Sequence, residues 1–238
     1  MSSLPISLEM IIFLVVIALV FDFMNGFHDA ANSIATIVST GVLKPQFAVI
    51  WAAFFNVVAV FVFQLTVAAA VGKGTIEPSV VDHYVVLGAL TGAIAWNFLT
   101  WYYGIPSSSS HALIGGLIGA AVAKAGTGSL ISSGVTKVVL FILVSPLLGF
   151  ILGSLMMVLV AWILRRTSPR KVDRWFRRLQ LVSASFYSLG HGGNDAQKTI
   201  GIIWMLLISA GTIGAKDPVP TWVIASCYLA IGLGTMFG

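Results

Sequence analysis

The sequence predicts an all-α integral membrane protein with two inverted copies of one helical motif, broken helices and a re-entrant helical hairpin. Three observations predict it: a scarcity of charge, a series of long apolar stretches, and a ten-residue pattern that recurs 166 residues later. Hydrophobic residues make up 58% of the 238 and charged residues only 9%, with a mean hydropathy of +0.99. A soluble domain carries about 25% charge, so this composition argues against a soluble enzyme, a disordered chain and a nucleic-acid partner. At about 20 apolar residues per span, the chain has room for roughly six to eight. Its single cysteine, Cys227, excludes an internal disulfide framework and a Cys-rich metal site, and reads as a small packing residue.

The apolar stretches run 8–40, 46–72, 84–103, 111–125, 135–164, 181–211 and 221–238. The N-terminus, MSSLPISLEM, has no Lys or Arg. It lacks the positive region of a cleavable signal peptide, so the first stretch is expected to stay. The third and fourth stretches are separated only by Gly-Ile-Pro-Ser-Ser-Ser-Ser at 104–110. Pro106 cannot continue a helix, and a break in hydrocarbon is tolerated only inside protein or beside a polar cavity. Residues 84–125 are therefore a re-entrant hairpin or two full spans. Seven of the 13 basic residues lie close together: Arg165, Arg166, Arg170, Lys171, Arg174, Arg177 and Arg178. The reading is a cytoplasmic loop at 165–180, held inside by its charge and attracted to anionic lipid headgroups. Counting from it puts 126–134 outside, 73–83 outside, Lys44 inside and the N-terminus outside, in a cell inner (plasma) membrane.

Gly26-Phe27-His28-Asp29-Ala30-Ala31-Asn32-Ser33-Ile34-Ala35 aligns without gaps to Gly192-Gly193-Asn194-Asp195-Ala196-Gln197-Lys198-Thr199-Ile200-Gly201. The two copies would cross the membrane in opposite directions. That is the pattern of an inverted-topology repeat, which builds a midplane site from discontinuous helices. The chain then divides into a first repeat at 1–164, the basic loop at 165–180, and the start of a second repeat at 181–238.

Asp22, Asn25, Asp29, Asn32, Ser33 and Thr36 recur at helical spacing on one stripe. A carboxylate at membrane depth must be paired, hydrated or neutralised. Asp29 and Asn32 are candidates to coordinate a cation or relay a proton, and Asp22 is a candidate access or gating residue. His28 sits about 100° around the helix from Asp29 and is a candidate proton-carrying group or the maker of a structural hydrogen bond. The second copy puts Lys198 where the first has Asn32. Its natural partner is Asp195, three residues earlier; otherwise it supplies fixed positive charge in place of a metal cation. His191 precedes Gly192-Gly193, where glycines weaken a helix. The expected unwinding there makes it a cap or part of a permeation path. Ser107, Ser108, Ser109, Ser110 and His111 open the next helix after Pro106. A helix N-terminus with free N–H groups and hydroxyls is an oxyanion cradle.

These motifs resemble the PiT family of inorganic phosphate transporters, and most closely its bacterial low-affinity Pit type. The resemblance rests on NGFHDAANSIAT at 25–36, WNFLTWYYGIPSSSSHALIGGLIG at 96–119 and SLGHGGNDAQKTIG at 188–201, and extends over the whole chain in order and spacing. It implies a homodimeric symporter with phosphate between two opposed hairpins and two unwound helices. Asp29, Asn32 and Ser33, and again Asn194, Asp195 and Thr199, fall on the family's GANDxAN motif. His28, where the family often has Asn, and Lys198 depart from the sodium-coupled pattern and look like the proton-coupled subgroup. The family's second Pro-x-Ser-Thr-Thr-His hairpin would lie beyond Gly238. The sequence is then expected to be a fragment, or to be completed by a partner chain.

The expected function is alternating-access phosphate symport, coupled to protons because Lys198 already fills one cation position. Sodium is the alternative ion, neutral metal–phosphate complexes a plausible cargo, and no cofactor is expected. Ser107–Ser110, Asn32, Asn194 and Thr199 would bind phosphate. Asp29, Asp195, Ser33, Lys198 and Asp22 would handle the cation, with His28, His111 and His191 as proton or gating groups. Sulfate is the competing substrate, but it has no proton to donate to a carboxylate. A passive anion channel is a further rival. An intramembrane hydrolase is disfavoured, because neither G-x-S-x-G nor H-E-x-x-H is present.

Overall fold

The structure, a computed structural model, describes residues 7–65, 74–214 and 216–238. Its helices are α1 (Leu8–Ser39), α2 (Pro45–Val58), α3 (His83–Tyr102), α4 (Ser109–Ala125), α5 (Ser132–Leu164), α6 (Pro169–Ser209) and α7 (Thr221–Phe237). Among the described residues the only extended pairing is the isolated bridge between Ile76 and Leu130. By length and composition, α1, α3 and α5 are each able to cross a membrane.

α1 lies at the centre, packed on α7, α6, α3 and α2. In lipid no hydrophobic force drives helices together, so small residues that admit close contact do the work. A Cβ on Gly26 of α1 would overlap the Ile231 carbonyl of α7, and one on Gly234 would overlap the Phe23 carbonyl of α1. The two glycines therefore set the spacing of this pair. Leu14, Ala18 and Phe21 of α1 meet Ile200, Ile203 and Leu206 of α6 and Val223, Cys227 and Ile231 of α7 in one buried cluster. Cys227 is a packing residue there, as expected. By contrast, no residue of α5 is buried.

α3 and α4 form the hairpin. Asp82 caps α3 by accepting from the Val85 amide at 3.0 Å. Gly104, with φ +64, turns the chain at the far end in a conformation that only glycine adopts freely. Ser108 then caps α4, accepting from the His111 amide. A Cβ on Gly116 would come within 2.5 Å of the Ala89 carbonyl, so the two arms run in close contact. The tip reaches α1 at His28, through Thr100. That contact lies eleven residues, about 16 Å at 1.5 Å per residue, before the end of α1 at Ser39.

At the opposite end of the hairpin, Lys124 closes an ion pair with Asp82 at 2.7 Å and donates to the Val80 carbonyl at 2.8 Å. Partial burial pushes the Asp82 carboxyl up, but Lys124 and the Val85 amide outweigh it and hold it below its ordinary value. A depressed carboxyl stabilises the fold above its unfolded-state pKa, and that contribution is lost as pH falls through the lowered native value. Asp82→Asn is expected to lower the melting temperature slightly at neutral pH, where the pair with Lys124 is formed, and to leave it unchanged in acid, so that this part of the acid dependence disappears from thermal unfolding across a pH series.

Three expectations need correction. Both GxxD helices are continuous: α1 and α6 carry no break. The glycines of α6 serve contact instead, since a Cβ on Gly192 would overlap the Asn56 carbonyl of α2 and one on Gly193 would overlap the Phe63 ring. Second, the stretch at 46–72 is not one straight span. α2 and the 3-10 turn that follows stop at Phe61, and the freed Gln64 carbonyl accepts from the Gln197 side chain at 2.9 Å; residues 66–72 lie outside the described ones. Third, the basic loop is short. Pro169, favoured at a helix start, begins α6, so Arg170 to Arg178 are helical.

Candidate functional site

The two motif copies meet face to face. Asn25 of α1 donates to Asp195 Oδ2 of α6 at 3.2 Å. Thr199 of α6 donates to Asp22 Oδ1 at 3.0 Å. His191 Nε2 lies 3.5 Å from Asp29 Oδ2. As the α1 number rises the α6 number falls, so the helices cross antiparallel, as inverted copies would. Asp22 is fully buried and accepts this bond from Thr199.

Around Asp29 the first copy arranges itself locally. Asn32 donates to Asp29 Oδ1 at 3.2 Å, and the Ser33 hydroxyl donates to the Asp29 backbone carbonyl. His28, expected to point away, folds back so that Nδ1 reaches Asp29 Oδ1 at 3.2 Å, while Nε2 meets the Thr100 hydroxyl of the hairpin at 3.3 Å.

Lys198 takes both of its available partners. Its ammonium pairs with Asp195 Oδ1 at 2.5 Å and donates to the Ser110 hydroxyl at the start of α4. The ion pair expected from spacing is present, and it also ties α6 to the hairpin. The side chains are 19% and 12% exposed, so the pair sits largely inside protein.

His191 is oriented by residues the sequence reading did not single out. Thr235 of α7 donates to the Ile231 carbonyl at 2.9 Å and so accepts from Asn56 Nδ2 at 2.8 Å. This turns Asn56 Oδ1 toward His191 Nδ1 at 3.4 Å, which makes Nδ1 the donor nitrogen. Nε2 is left facing Asp29 and, at 3.7 Å, Asp195. One ligand atom from each of Asp29, His191 and Asp195 lies within 4.8 Å of the others. Two carboxylates and an imidazole in that arrangement call for a proton on Nε2 or a cation between them. A lone Asn inside an apolar run, as at Asn56, was the available signal.

The hairpin serines divide between two faces. Ser109 is buried and Ser110 faces Lys198. Ser107, which accepts from Trp96 Nε1 at 2.9 Å, Ser108 and His111 line a separate cleft of about 510 Å³ between α3 and α4. Asn194 is exposed on another side of α6, one residue and so about 100° from Asp195. The structure does not bring Asn194 or His111 to the carboxylates.

The sequence profile of the Phosphate transporter family matches residues 25–238. This chain belongs to that family. A probable low-affinity inorganic phosphate transporter of Rhizobium meliloti (strain 1021) is 55% identical over 233 residues, 98% of this chain and 70% of that protein. One of the same description from Bacillus subtilis (strain 168) is 46% identical over 237 residues, 99% of this chain and 71% of its own length. Among solved structures, a sodium-dependent phosphate transporter superposes with a TM-score of 0.86 at 20% identity, covering 97% of this chain and 76% of that one. At that identity the superposition establishes the shared fold. The family members are transporters, and the chain is a membrane protein of that family, not an enzyme.

Proposed function

We propose that this chain is a proton-coupled inorganic phosphate symporter working by alternating access, with the hairpin and the facing motif copies as its transport site. One observation carries the reading: Lys198 is held between Asp195 and Ser110. It places fixed positive charge at the N-terminal end of α4, where a helix favours an anion. It also occupies the carboxylate that a coupling sodium ion would need, which leaves protons as the driving ion. In this reading Ser110, Ser109 and Thr199 are on the substrate side, and Asp29, Asp195 and His191 handle the coupled charge. The antiparallel crossing of α1 and α6 supports the division into a first inverted repeat at 1–164 and the start of a second at 181–238. A plasma-membrane homodimer with the N-terminus outside completes the proposal. The wholly unburied α5 would face lipid or the second copy.

A second reading concerns the form of the cargo. The Asp29, His191 and Asp195 set is a donor combination that suits a divalent cation once Lys198 releases Asp195. Phosphate carried as its neutral metal complex would present such a cation.

Labelled phosphate uptake into proteoliposomes, with proton and sodium gradients imposed separately, tests the proposal. Concentrative uptake under the proton gradient alone is expected. Uptake only with sodium would remove the coupling assignment and keep the substrate. A folded protein that moves sulfate but not phosphate would overturn the substrate. Asp29→Asn is expected to abolish uptake at normal expression; full retained uptake would take Asp29 out of the mechanism.

A further inference from the structure

We propose that Asn97 and Ser109 form a hydrogen-bonding subsite on the inner face of the hairpin that reads the protonated oxygen of phosphate; the assignment deepens the phosphate reading above and rests on it. Asn97 is the most anomalous polar side chain among the described residues. It is 0% exposed, and neither Nδ2 nor Oδ1 has a hydrogen-bond partner there. Ser109 is 1% exposed and its hydroxyl is likewise without a partner. Buried amides and hydroxyls are nearly always hydrogen-bonded, because an unmade bond is costly. Two such groups therefore mark a place where a polar ligand is taken.

The register of the hairpin brings them together. Gly116 packs on Ala89 and Gly88 on Ala120, so the residue numbers across the antiparallel pair sum to between 205 and 208. Asn97 and Ser109 sum to 206 and stand across from one another. Both continue the stripes that face the bundle: Ala93, four residues before Asn97, and Leu113, four after Ser109, belong to the main buried cluster with Ile200 and Ile203 of α6. The subsite is bounded by charge on one side. Ser110, next in sequence to Ser109, takes the Lys198 ammonium. Thr100, one turn beyond Asn97, meets His28.

The chemistry of the free atoms selects the ligand. Asn97 Nδ2, the Ser109 hydroxyl and the nearby Lys198 charge suit an anionic oxygen. Asn97 Oδ1 only accepts, so the ligand must also carry a hydrogen. Phosphate near neutral pH has both; sulfate has no hydrogen to give and would leave Oδ1 unpaired. The subsite thus separates two tetrahedral anions by hydrogen bonding, the kind of readout that discriminates well because the wrong ligand strands a buried group.

Equilibrium binding of labelled phosphate to the purified protein in detergent tests this, with unlabelled sulfate as competitor and the melting temperature read alongside. Asn97→Leu, which keeps the branched shape and removes the polar atoms, is expected to weaken phosphate about tenfold and to lose about tenfold of the preference over sulfate, one hydrogen bond to a charged ligand being of that order. Asn97→Ser and Ser109→Ala, smaller changes that overfill nothing, are expected to weaken phosphate several-fold at an unchanged melting temperature. Thr91→Val, on the same helix but bonded to its own backbone, is expected to change nothing. Unaltered phosphate and sulfate affinities in Asn97→Ser and Ser109→Ala would overturn the subsite and leave buried water as the partner of these atoms, with transport unaffected. Absence of phosphate binding by the unsubstituted protein would sink the phosphate reading, and the subsite with it.

Discussion

Replacing Lys198 with methionine is expected to destabilise the protein by about 3 kcal/mol and to abolish phosphate binding. The physical reason is the fate of Asp195. Its carboxylate is 12% exposed and meets the ammonium at 2.5 Å, with Asn25 as its other donor. Removing one partner of a buried pair leaves the other charge uncompensated, which costs far more than the pair contributes in net terms. The expected signature is therefore a cycle. Asp195→Asn with Lys198→Met together should recover most of the melting temperature lost by Lys198→Met alone, since no lone charge remains. Phosphate binding should stay absent in the double variant, because the ammonium at Ser110 is still missing. Tryptophan-monitored unfolding in detergent, beside labelled phosphate binding, separates the two readouts. A Lys198→Met protein as stable as the unsubstituted one would show that Asp195 is neutralised by other means, and the argument for proton coupling would lose its foundation.

The sequence carried the parts of this architecture that depend on local chemistry. Scarce charge indicated the membrane, Pro106 and four serines located the hairpin turn, and Asp29 and Asp195 stood out as carboxylates in apolar runs. Asp195 to Lys198 was readable as an i, i+3 pair. What the sequence hid depends on neighbours. The run from Val57 to Leu65 is interrupted only by Gln64, and nothing local ends α2; the Gln64 carbonyl is released because Gln197, far along the chain, supplies a donor. Ser107 to Ser110 look like one cradle in sequence, yet the turn of the helix sends Ser109 and Ser110 inward and Ser107, Ser108 and His111 to another cleft. Asn194 carries the motif's identity but not its direction. Asn56 and Thr235, which fix His191, are single polar residues in apolar helices, and only their meeting across α2, α6 and α7 gives them a role.

Gly192→Ala and Gly190→Ala are expected to act in opposite directions, and the contrast decides what the glycines of α6 are for. If they exist to let the helix unwind, both substitutions should stiffen it alike. The packing predicts otherwise. A Cβ at Gly192 would overlap the Asn56 carbonyl and lie 2.7 Å from its Cα, whereas a Cβ at Gly190 meets nothing within 4 Å. Alanine at 192 must push α2 from α6, and overpacking of this kind costs about 1–3 kcal/mol. It also displaces the residue that orients His191, so uptake should fall together with the melting temperature. Alanine at 190 adds helix propensity, worth up to about 1 kcal/mol, without a clash. Its melting temperature should rise, and uptake should persist if α6 stays helical through the cycle. A Gly190→Ala protein that is more stable but transports poorly would mean that α6 opens at this point during transport, and that the continuous helix described here is one state of the cycle.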